Sequence, residues 1–352
     1  MAGADADAHL ATETGPFVRT ARARVGEGRH GVRAGEGLTH RRRRKPIGRL
    51  ADGRMPTYLP RVIGVDWGTT HLRAFLLRDD GAPEPIDRRH SSDGVRSVER
   101  GRFGDVLRAL VAPWLAQGER RILLSGVVGS RQGWTETRPV PCPAGLDDIL
   151  AALIDVPFPD ACVRLVPGVA CTDAAGVPEV MRGEETQIMG TALDTGIVCL
   201  PGSHSKWARV ERGTIVEFTT YLTGESFAAL GAHTLLAPVI GSASPEPGAA
   251  FDAGVARAAD AGGLLHHLFG VRTLGLTGRL TGSDPASYLS GLLIGHEVRA
   301  ALPASADPVA IVGAPGLAAL YARAIGDRAR LADTDAAARG LATIGARATW
   351  TT

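Results

Sequence analysis

Apolar and polar positions alternate in short blocks along most of the chain, and the blocks predict a mixed α/β protein. Residues 62–65 and 72–77 are compact apolar runs on either side of a tight polar turn, and Arg78-Asp79-Asp80-Gly81 closes the second run like a hairpin end. Apolar residues recur at helical spacing over 103–117, with Val106, Leu107, Leu110, Val111 and Leu115 on one side. Residues 121–125 read as a short buried strand, 146–154 as a helix and 163–166 as a strand ended by Pro167-Gly168. Met181-Arg182-Gly183-Glu184-Glu185-Thr186-Gln187 opens a helix running to about residue 193. Three strands follow at 197–200, 206–210 and 214–220. The rest predicts helices over 223–236, 255–269 and 286–302, a strand at 308–312, a helix at 317–325, a short strand at 330–332 and a closing helix near 336–346.

One pattern occurs twice. A strand, a glycine/hydroxyl turn and a second strand appear at Asp66-Trp67-Gly68-Thr69-Thr70 and again at Pro201-Gly202-Ser203-His204-Ser205, 136 residues apart from Asp66 to Gly202. The repeat suggests two related domains, 58–195 and 196–350, facing a shared cleft. Residues 1–57 lack hydrophobic periodicity and carry the run Arg41-Arg42-Arg43-Arg44-Lys45. Such a segment cannot bury enough apolar surface to offset its chain entropy, so a disordered extension is expected. Its Gly26-x-Gly28-x-x-Gly31 has no strand before it and no helix after it, and is set aside as a dinucleotide fingerprint. Met55, seven residues before the first strand, is the expected start of the functional chain.

Composition narrows the classes. At 352 residues, 44% hydrophobic and 22% charged, the chain has the make-up of a globular protein large enough for two cores. No apolar run approaches the roughly 18 residues of a membrane span. Net charge is +2, but residues 1–54 hold eleven Arg and one Lys against six acids, which leaves the remainder at −4. A basic-surface argument for nucleic acid therefore fails for the folded part. Four scattered cysteines without a Cys-x-x-Cys fit reduced thiols, no structural zinc and a cytoplasmic location. Of 39 basic residues only Lys45 and Lys206 are lysine, so Lys206 is expected to serve where a compact ammonium is needed rather than a fork.

The first turn carries candidate chemistry. Asp66 ends a strand, Gly68 removes a side chain, and Thr69 and Thr70 offer hydroxyls and backbone N–H groups. An ordinary hairpin would read the same way. A phosphate tail with Mg²⁺ would also be served, by bare backbone donors and one carboxylate. Gly126–Trp134 is a glycine-rich loop at a strand's carboxyl end, where α/β sheets place ligands. Glu184 and Glu185 open a helix, where acids complement the dipole and a general base could also sit. Two facing turns, a glycine-rich strand end at Gly313 and two carboxylates suffice in principle for phosphoryl transfer by positioning and charge neutralisation. Gly-x-x-x-x-Gly-Lys-Ser/Thr is absent, which excludes a P-loop.

Asp66–Thr70 with Leu72-Arg73-Ala74 resembles the first phosphate motif of the sugar kinase/Hsp70/actin superfamily. The ordered set Gly126–Trp134, Met181–Gln187, Pro201–Trp207, Thr223–Glu225 and Leu289–Gly295 resembles the 2-dehydro-3-deoxygalactonokinase family over roughly residues 61–348. The resemblance implies an α/β two-domain actin-like ATPase (ribonuclease H-like) fold. It also implies ATP- and Mg²⁺-dependent phosphorylation of the 6-hydroxyl of 2-dehydro-3-deoxy-D-galactonate. On it, Asp66 holds Mg²⁺, and Gly68, Thr69 and Thr70 line phosphates. Gly202, Ser203, His204, Ser205 and Lys206 form the second phosphate loop, Gly313 and Ala314 the adenosine motif. Glu184 falls where related kinases carry the base, commonly Asp, with Glu185 as its neighbour. The anionic substrate calls for a guanidinium, with Arg182 first, then Arg73 and Arg131; Arg182 equally suits a structural pairing with either acid. Trp134, Glu225, Gln187 and Trp207 complete the candidates.

Three other readings compete. Ser203-x-x-Lys206 matches an acyl-enzyme motif, but it lies between strands and no Lys-Thr-Gly follows. A non-catalytic nucleotide switch would need partner-binding insertions that about 290 residues hardly accommodate. A kinase for a different sugar or sugar acid is the serious rival, since fold does not settle substrate. Oligomeric state is open.

Overall fold

The computed structural model describes residues 61–302, 307–332 and 335–350. The expectations for residues 1–57, including the start at Met55, lie outside the described residues. The described residues belong to one compact unit, Tyr58–Thr352.

The chain opens with β1 (Arg61–Trp67), β2 (Leu72–Arg78) and β3 (Asp87–Ser91), then α1 (Phe103–Leu115) and β4 (Arg121–Ser125). Next come β5 (Val140–Pro141), α2 (Leu146–Ala151), β6 (Ile154–Val156), β7 (Cys162–Leu165), β8 (Val169–Thr172), β9 (Pro178–Met181) and α3 (Glu184–Gly190). The second half holds β10 (Gly196–Leu200), β11 (Ser205–Glu211) and β12 (Thr214–Tyr221). Helices α4 (Thr223–His233), α5 (Ala237–Ile240), α6 (Ala249–Arg257), α7 (Gly263–Leu276) and α8 (Asp284–Ala301) follow. It closes with β13 (Val309–Ile311), α9 (Pro315–Ile325), β14 (Ala329–Leu331) and α10 (Ala336–Arg347).

Two sheets repeat one topology. The first has the order β3-β2-β1-β4-β7-β6, the second β12-β11-β10-β13-β14. In each, three antiparallel strands lead into two parallel ones: β1 pairs parallel with β4 and β4 with β7, as β10 does with β13 and β13 with β14. The first sheet adds β6 as an antiparallel edge. This doubled arrangement is the actin-like ATPase fold, and it explains why the strand-turn-strand pattern recurs in the sequence.

Apolar alternation sets the layers. One face of the first sheet (Ile63, Val65, Leu76, Leu124) packs on Phe103, Leu107, Val111 and Trp114 of α1. Its other face (Val62, Phe75, Leu77, Leu123) shares a core with Ile188 of α3, Leu341 and Ile344 of α10, and Val198, Leu200 and Val210 of the second sheet. Helices α3 and α10 thus lie between the sheets. They cross where Gly190 and Gly340 leave no room for a Cβ: one on Gly190 would strike the Ala336 carbonyl, one on Gly340 that of Thr186. The second sheet's outer face packs on α8 and α9.

Several expected bounds shift for local reasons. The helix expected at 255–269 is two, α6 and α7, because Gly262 and Gly263 adopt positive φ between them. The helix expected at 223–236 ends at His233, where Thr234 is extended. The helix expected at 146–154 stops at Ala151, and Ile154 begins the edge strand β6. Strand β3, Asp-Arg-Arg-His-Ser, has no apolar alternation because it is an edge, paired among the described residues with β2 alone. The small sheet β5-β8-β9 was unforeseen, since its strands are two to four residues long. No described helix is long and apolar enough to cross a membrane.

Candidate active site

Each repeated hairpin ends in a short turn at the same edge of its sheet. Trp67 pairs with Leu72, so Gly68–His71 form the first turn. Leu200 pairs with Lys206 across the second, which holds Pro201–Ser205, with Ser205 already paired to Tyr221 of β12. The turns are fastened from behind by their carbonyls. Val95 N–H donates to Gly68 O (3.0 Å) and Arg96 N–H to Thr69 O (3.1 Å); Glu225 N–H donates to Ser203 O (3.0 Å). Among the described residues no hydrogen bond uses the N–H of Thr69, Thr70, Gly202, Ser203 or His204. Backbone donors without internal partners, at two facing turns, form a concavity suited to a polyanion.

A cavity of about 910 Å³ joins them. Its lining includes Asp66, Gly68, Thr69, Thr70, Arg73, Gly126, Arg182, Glu184, Gly202, Ser203, His204, Gly313 and Ala314. The structure thus gathers the first turn, the second turn, the strand end at Gly313 and one of the two adjacent acids in one cleft. Gly183, at φ 105°, turns the chain sharply into α3, and a Cβ there would sit 3.1 Å from the Cα of Gly126. Glycine at both positions lets the start of α3 lie against the end of β4, which brings Glu184 to the cleft.

The two acids separate completely. Glu184 Oε2 accepts from the Arg182 N–H (2.9 Å), and Oε1 lies 3.7 Å from Lys206 Nζ. Glu185 is fully buried. Its Oε2 accepts from the Gly183 N–H (2.7 Å) and its Oε1 from the Thr186 hydroxyl (3.1 Å). Burial, with Glu184 next to it, pushes the Glu185 carboxyl up to about 7. Only Glu184 of the pair meets the cleft.

Asp66 is 12% exposed, and its Oδ2 accepts from Arg73 Nε (3.1 Å) and Nη2. Among the described residues no hydrogen bond reaches its Oδ1. Arg182 lines the cleft, yet its guanidinium is committed: Nη1 donates to Thr137 Oγ1 (2.6 Å) and Pro167 O (2.7 Å), Nη2 to Thr137 O (3.0 Å). These acceptors are neutral, and burial holds the guanidinium below its ordinary value. Side-chain pairing of Arg182 with Glu184 or Glu185 is not what the structure shows; only the backbone N–H touches Glu184.

Other candidates fall outside the cleft lining. Ser205 is buried, its hydroxyl bonded to Tyr321 OH (2.8 Å). Lys206 is 5% exposed and is not among the lining residues. Arg131 is 84% exposed and paired with Glu136 (3.5 Å), because its loop turns outward beyond Gly129. Trp134 packs between Phe103 and Phe158. Glu225 holds His204 Nε2 (2.6 Å), and Trp207 donates to buried Glu297 (2.7 Å). Gln187, a lesser candidate, does line the cleft.

Sequence reasoning missed His90, Ser91 and Ser92 at the end of β3, and Ala336 and Ala337 at the start of α10. The first group sits on a strand with no apolar signature. The second consists of alanines brought in from 270 residues away, which no local signal announces.

Comparison with known proteins matches residues 66–344 to the family model described as 2-keto-3-deoxy-galactonokinase. The probable 2-dehydro-3-deoxygalactonokinase DgoK1 of Rhizobium meliloti (strain 1021) is 36% identical over 298 residues, 81% of this chain and 96% of that protein. The 2-dehydro-3-deoxygalactonokinase of Escherichia coli (strain K12) is 32% identical over 243 residues, 68% of this chain and 79% of that one. The crystal structure of a Sinorhizobium meliloti protein described in similar terms superposes with a TM-score of 0.74 at 35% identity, covering 81% of this chain and 98% of the other.

Proposed function

The chain belongs to the 2-keto-3-deoxy-galactonokinase family, and on that premise we propose a residue-level account of its ATP-dependent phosphorylation of 2-dehydro-3-deoxy-D-galactonate. Its activity is that of an ATP-dependent sugar-acid kinase, a phosphotransferase with an alcohol acceptor. The single observation that carries the account is the cleft gathering both turns, the Gly313 strand end and Glu184.

In this account the unpartnered N–H groups of Thr69, Thr70, Gly202, Ser203 and His204 receive the triphosphate from two sides. Gly313 and Ala314 receive the adenosine, where the absence of side-chain bulk admits a flat base. The substrate's 6-hydroxyl lies against Glu184. As its oxygen bonds to the γ-phosphorus, the bond from that phosphorus to the β–γ bridging oxygen breaks and ADP leaves. Glu184 takes the hydroxyl proton. Glu185, fully buried and held by Gly183 and Thr186, does not reach the acceptor; its part is to fix the start of α3.

Mg²⁺ fits the donor set. No cluster of three or more potential metal ligands exists among the described residues. Mg²⁺ is commonly bound by one or two carboxylates together with substrate phosphates and water. Asp66 would hold it, through the oxygen that Arg73 leaves open. Bound there, the ion would neutralise charge on the phosphate oxygens. Arg73, half exposed at the cleft, is then the guanidinium offered to an anionic group, whereas that of Arg182 is taken up by Thr137 and Pro167. In this account the lobes around the cleft are 58–195 and 196–350, and α10, from the second segment, packs on the first sheet.

The test is a coupled assay of ADP release across sugar acids and neutral hexoses. The C4 epimer and neutral hexoses are expected to be turned over at least tenfold less well than 2-dehydro-3-deoxygalactonate, the scale of a lost site-specific hydrogen bond. Equal turnover of the gluconate-derived epimer or of a neutral hexose would reject the substrate assignment. In the same assay Glu184→Gln is expected to lower kcat by roughly 10²–10⁴-fold while ATP still binds.

A further inference from the structure

We propose that Lys206 is a positioning residue for Glu184, an ammonium strut between the second turn and the proton acceptor rather than a phosphate ligand. The inference rests on the reading of Glu184 given above. Three observations carry it.

The first is placement. Lys206 is on β11 of the second sheet and is 5% exposed; its side chain does not line the cleft, whose phosphate donors come from the turn's own backbone. The second is what its ammonium touches. Nζ lies 3.7 Å from Glu184 Oε1 and donates to His204 O at 3.4 Å. Glu184 Oε2 is held separately by the Arg182 N–H. The carboxylate is therefore gripped at both oxygens, one from its own helix start and one from the opposite sheet. The third is residue type. Lys206 is the sole lysine among the described residues, in a chain with 39 basic residues. An ammonium on a flexible stem meets both acceptors as one compact point charge, which a planar guanidinium fork does not reproduce.

The consequence is a mechanical link. The same ammonium binds the His204 carbonyl, in the turn proposed to seat phosphate, and Glu184, the proposed acceptor. A shift of the turn on binding nucleotide is passed to the base. Removing the strut leaves phosphate donors in place and sets the carboxylate loose by a fraction of an ångström.

Steady-state kinetics of Lys206→Met, Glu184→Gln and the double variant test this. For Lys206→Met, kcat is expected to fall roughly 100-fold, the scale of a small misplacement of a catalytic group, while KM for ATP stays within about twofold. The double variant should be no slower than Glu184→Gln alone, since without the carboxylate nothing remains to position. A KM for ATP raised about tenfold with kcat retained would mark a phosphate ligand and overturn the proposal. So would unchanged kcat, or losses that multiply in the double variant. If Lys206→Met does not fold, Lys206→Arg carries the same test: kcat falls at least about fivefold with KM for ATP unchanged, and the reverse split rejects the proposal. A Glu184→Gln enzyme with normal kcat would bring down the acceptor assignment itself. A dead Glu184→Gln beside a fully active Lys206→Met would bring down only the strut.

Discussion

The two turns share a scaffold and differ in how they are wired. Both join antiparallel strands, both have their carbonyls held by a later segment, and both leave N–H groups without partners among the described residues. Behind each stands a glycine: Gly94 against Thr69 and Thr70, Gly224 against Gly202 and Ser203. The strand ends diverge. The first turn is flanked by Asp66 and Arg73, a cross-strand pair closed on itself and facing the cleft. The second is followed by Ser205 and Lys206, both buried. Ser205 joins Tyr321, whose hydroxyl donates to Glu297 (2.6 Å); Lys206 joins Glu184. One turn offers charges that a ligand can rearrange at little structural cost. The other is anchored in the core and in the acceptor.

If that contrast holds, neutralising the first turn should remove activity without touching the fold. Asp66→Asn is expected to lower kcat by about 10³-fold, the upper scale for loss of one charge-stabilising group. It should also raise the Mg²⁺ concentration needed for half-maximal rate. Thermal unfolding should stay within a degree or two, because a pair whose guanidinium is half exposed is worth about 1 kcal/mol at most. A large drop in melting temperature would mean that the first turn is as structural as the second.

The sequence made the repeated turns, the paired acids and most core elements visible because these rest on local signals: apolar runs, glycine, a helix-opening carboxylate. What stayed hidden depends on long-range packing. Glu184 and Glu185 are adjacent letters, yet one faces the cleft and the other lies in the core, a split set by the turn at Gly183. Lys206 stood out by its rarity, but its pairing with Glu184 needs two sheets brought together. Arg182 looked like an anion binder until its neighbours were known to be the carbonyls of Thr137 and Pro167. Strand β3 is written in charged residues, as an edge allows, so hydrophobic reading passes over it.

A second comparison concerns a buried carboxylate in each half of the chain. Glu297 lies behind the second turn, with Trp207 and Tyr321 as strong donors. Glu185 lies at the end of the first sheet, near Ser125 of β4, which pairs with Asp66, and has one backbone N–H and weaker hydroxyls. Burial raises both, Glu185 to about 7. A carboxyl whose folded pKa lies above its unfolded value of 4.5 contributes stability that is complete below about 4.5 and is lost as pH rises through about 7. The contribution of Glu185 amounts to about 3 kcal/mol as an upper figure. Glu185→Gln keeps the acceptor for Gly183 and gives Ser125 and Thr186 a donor. Its melting temperature is expected to match the parent near pH 5 and to exceed it by several degrees at pH 8. Equal melting curves at both pH values would show that Glu185 stays charged and satisfied.

The smallest effect tests whether the backing glycines truly make the turns equivalent. A Cβ at Gly94 would fall on the Thr70 Cα and the Thr69 carbonyl; at Gly224 it would fall on the Gly202 carbonyl and the Ser203 Cα. All of these are backbone atoms, so the turn itself must move. Gly94→Ala and Gly224→Ala are each expected to raise KM for ATP about tenfold, roughly the cost of one misplaced hydrogen-bonding group. Gly231→Ala in α4, where the added methyl meets only Ile240 at 3.7 Å, should leave KM unchanged and serves as the control. The wiring predicts a difference between the two glycines. At Gly224 the displaced turn carries His204, whose carbonyl holds the Lys206 ammonium, so kcat should fall together with the rise in KM. At Gly94 no hydrogen bond or ion pair among the described residues leads from the turn to Glu184, so KM should move alone. Identical kinetic signatures for the two variants would erase the distinction between a self-contained turn and one coupled to the acceptor.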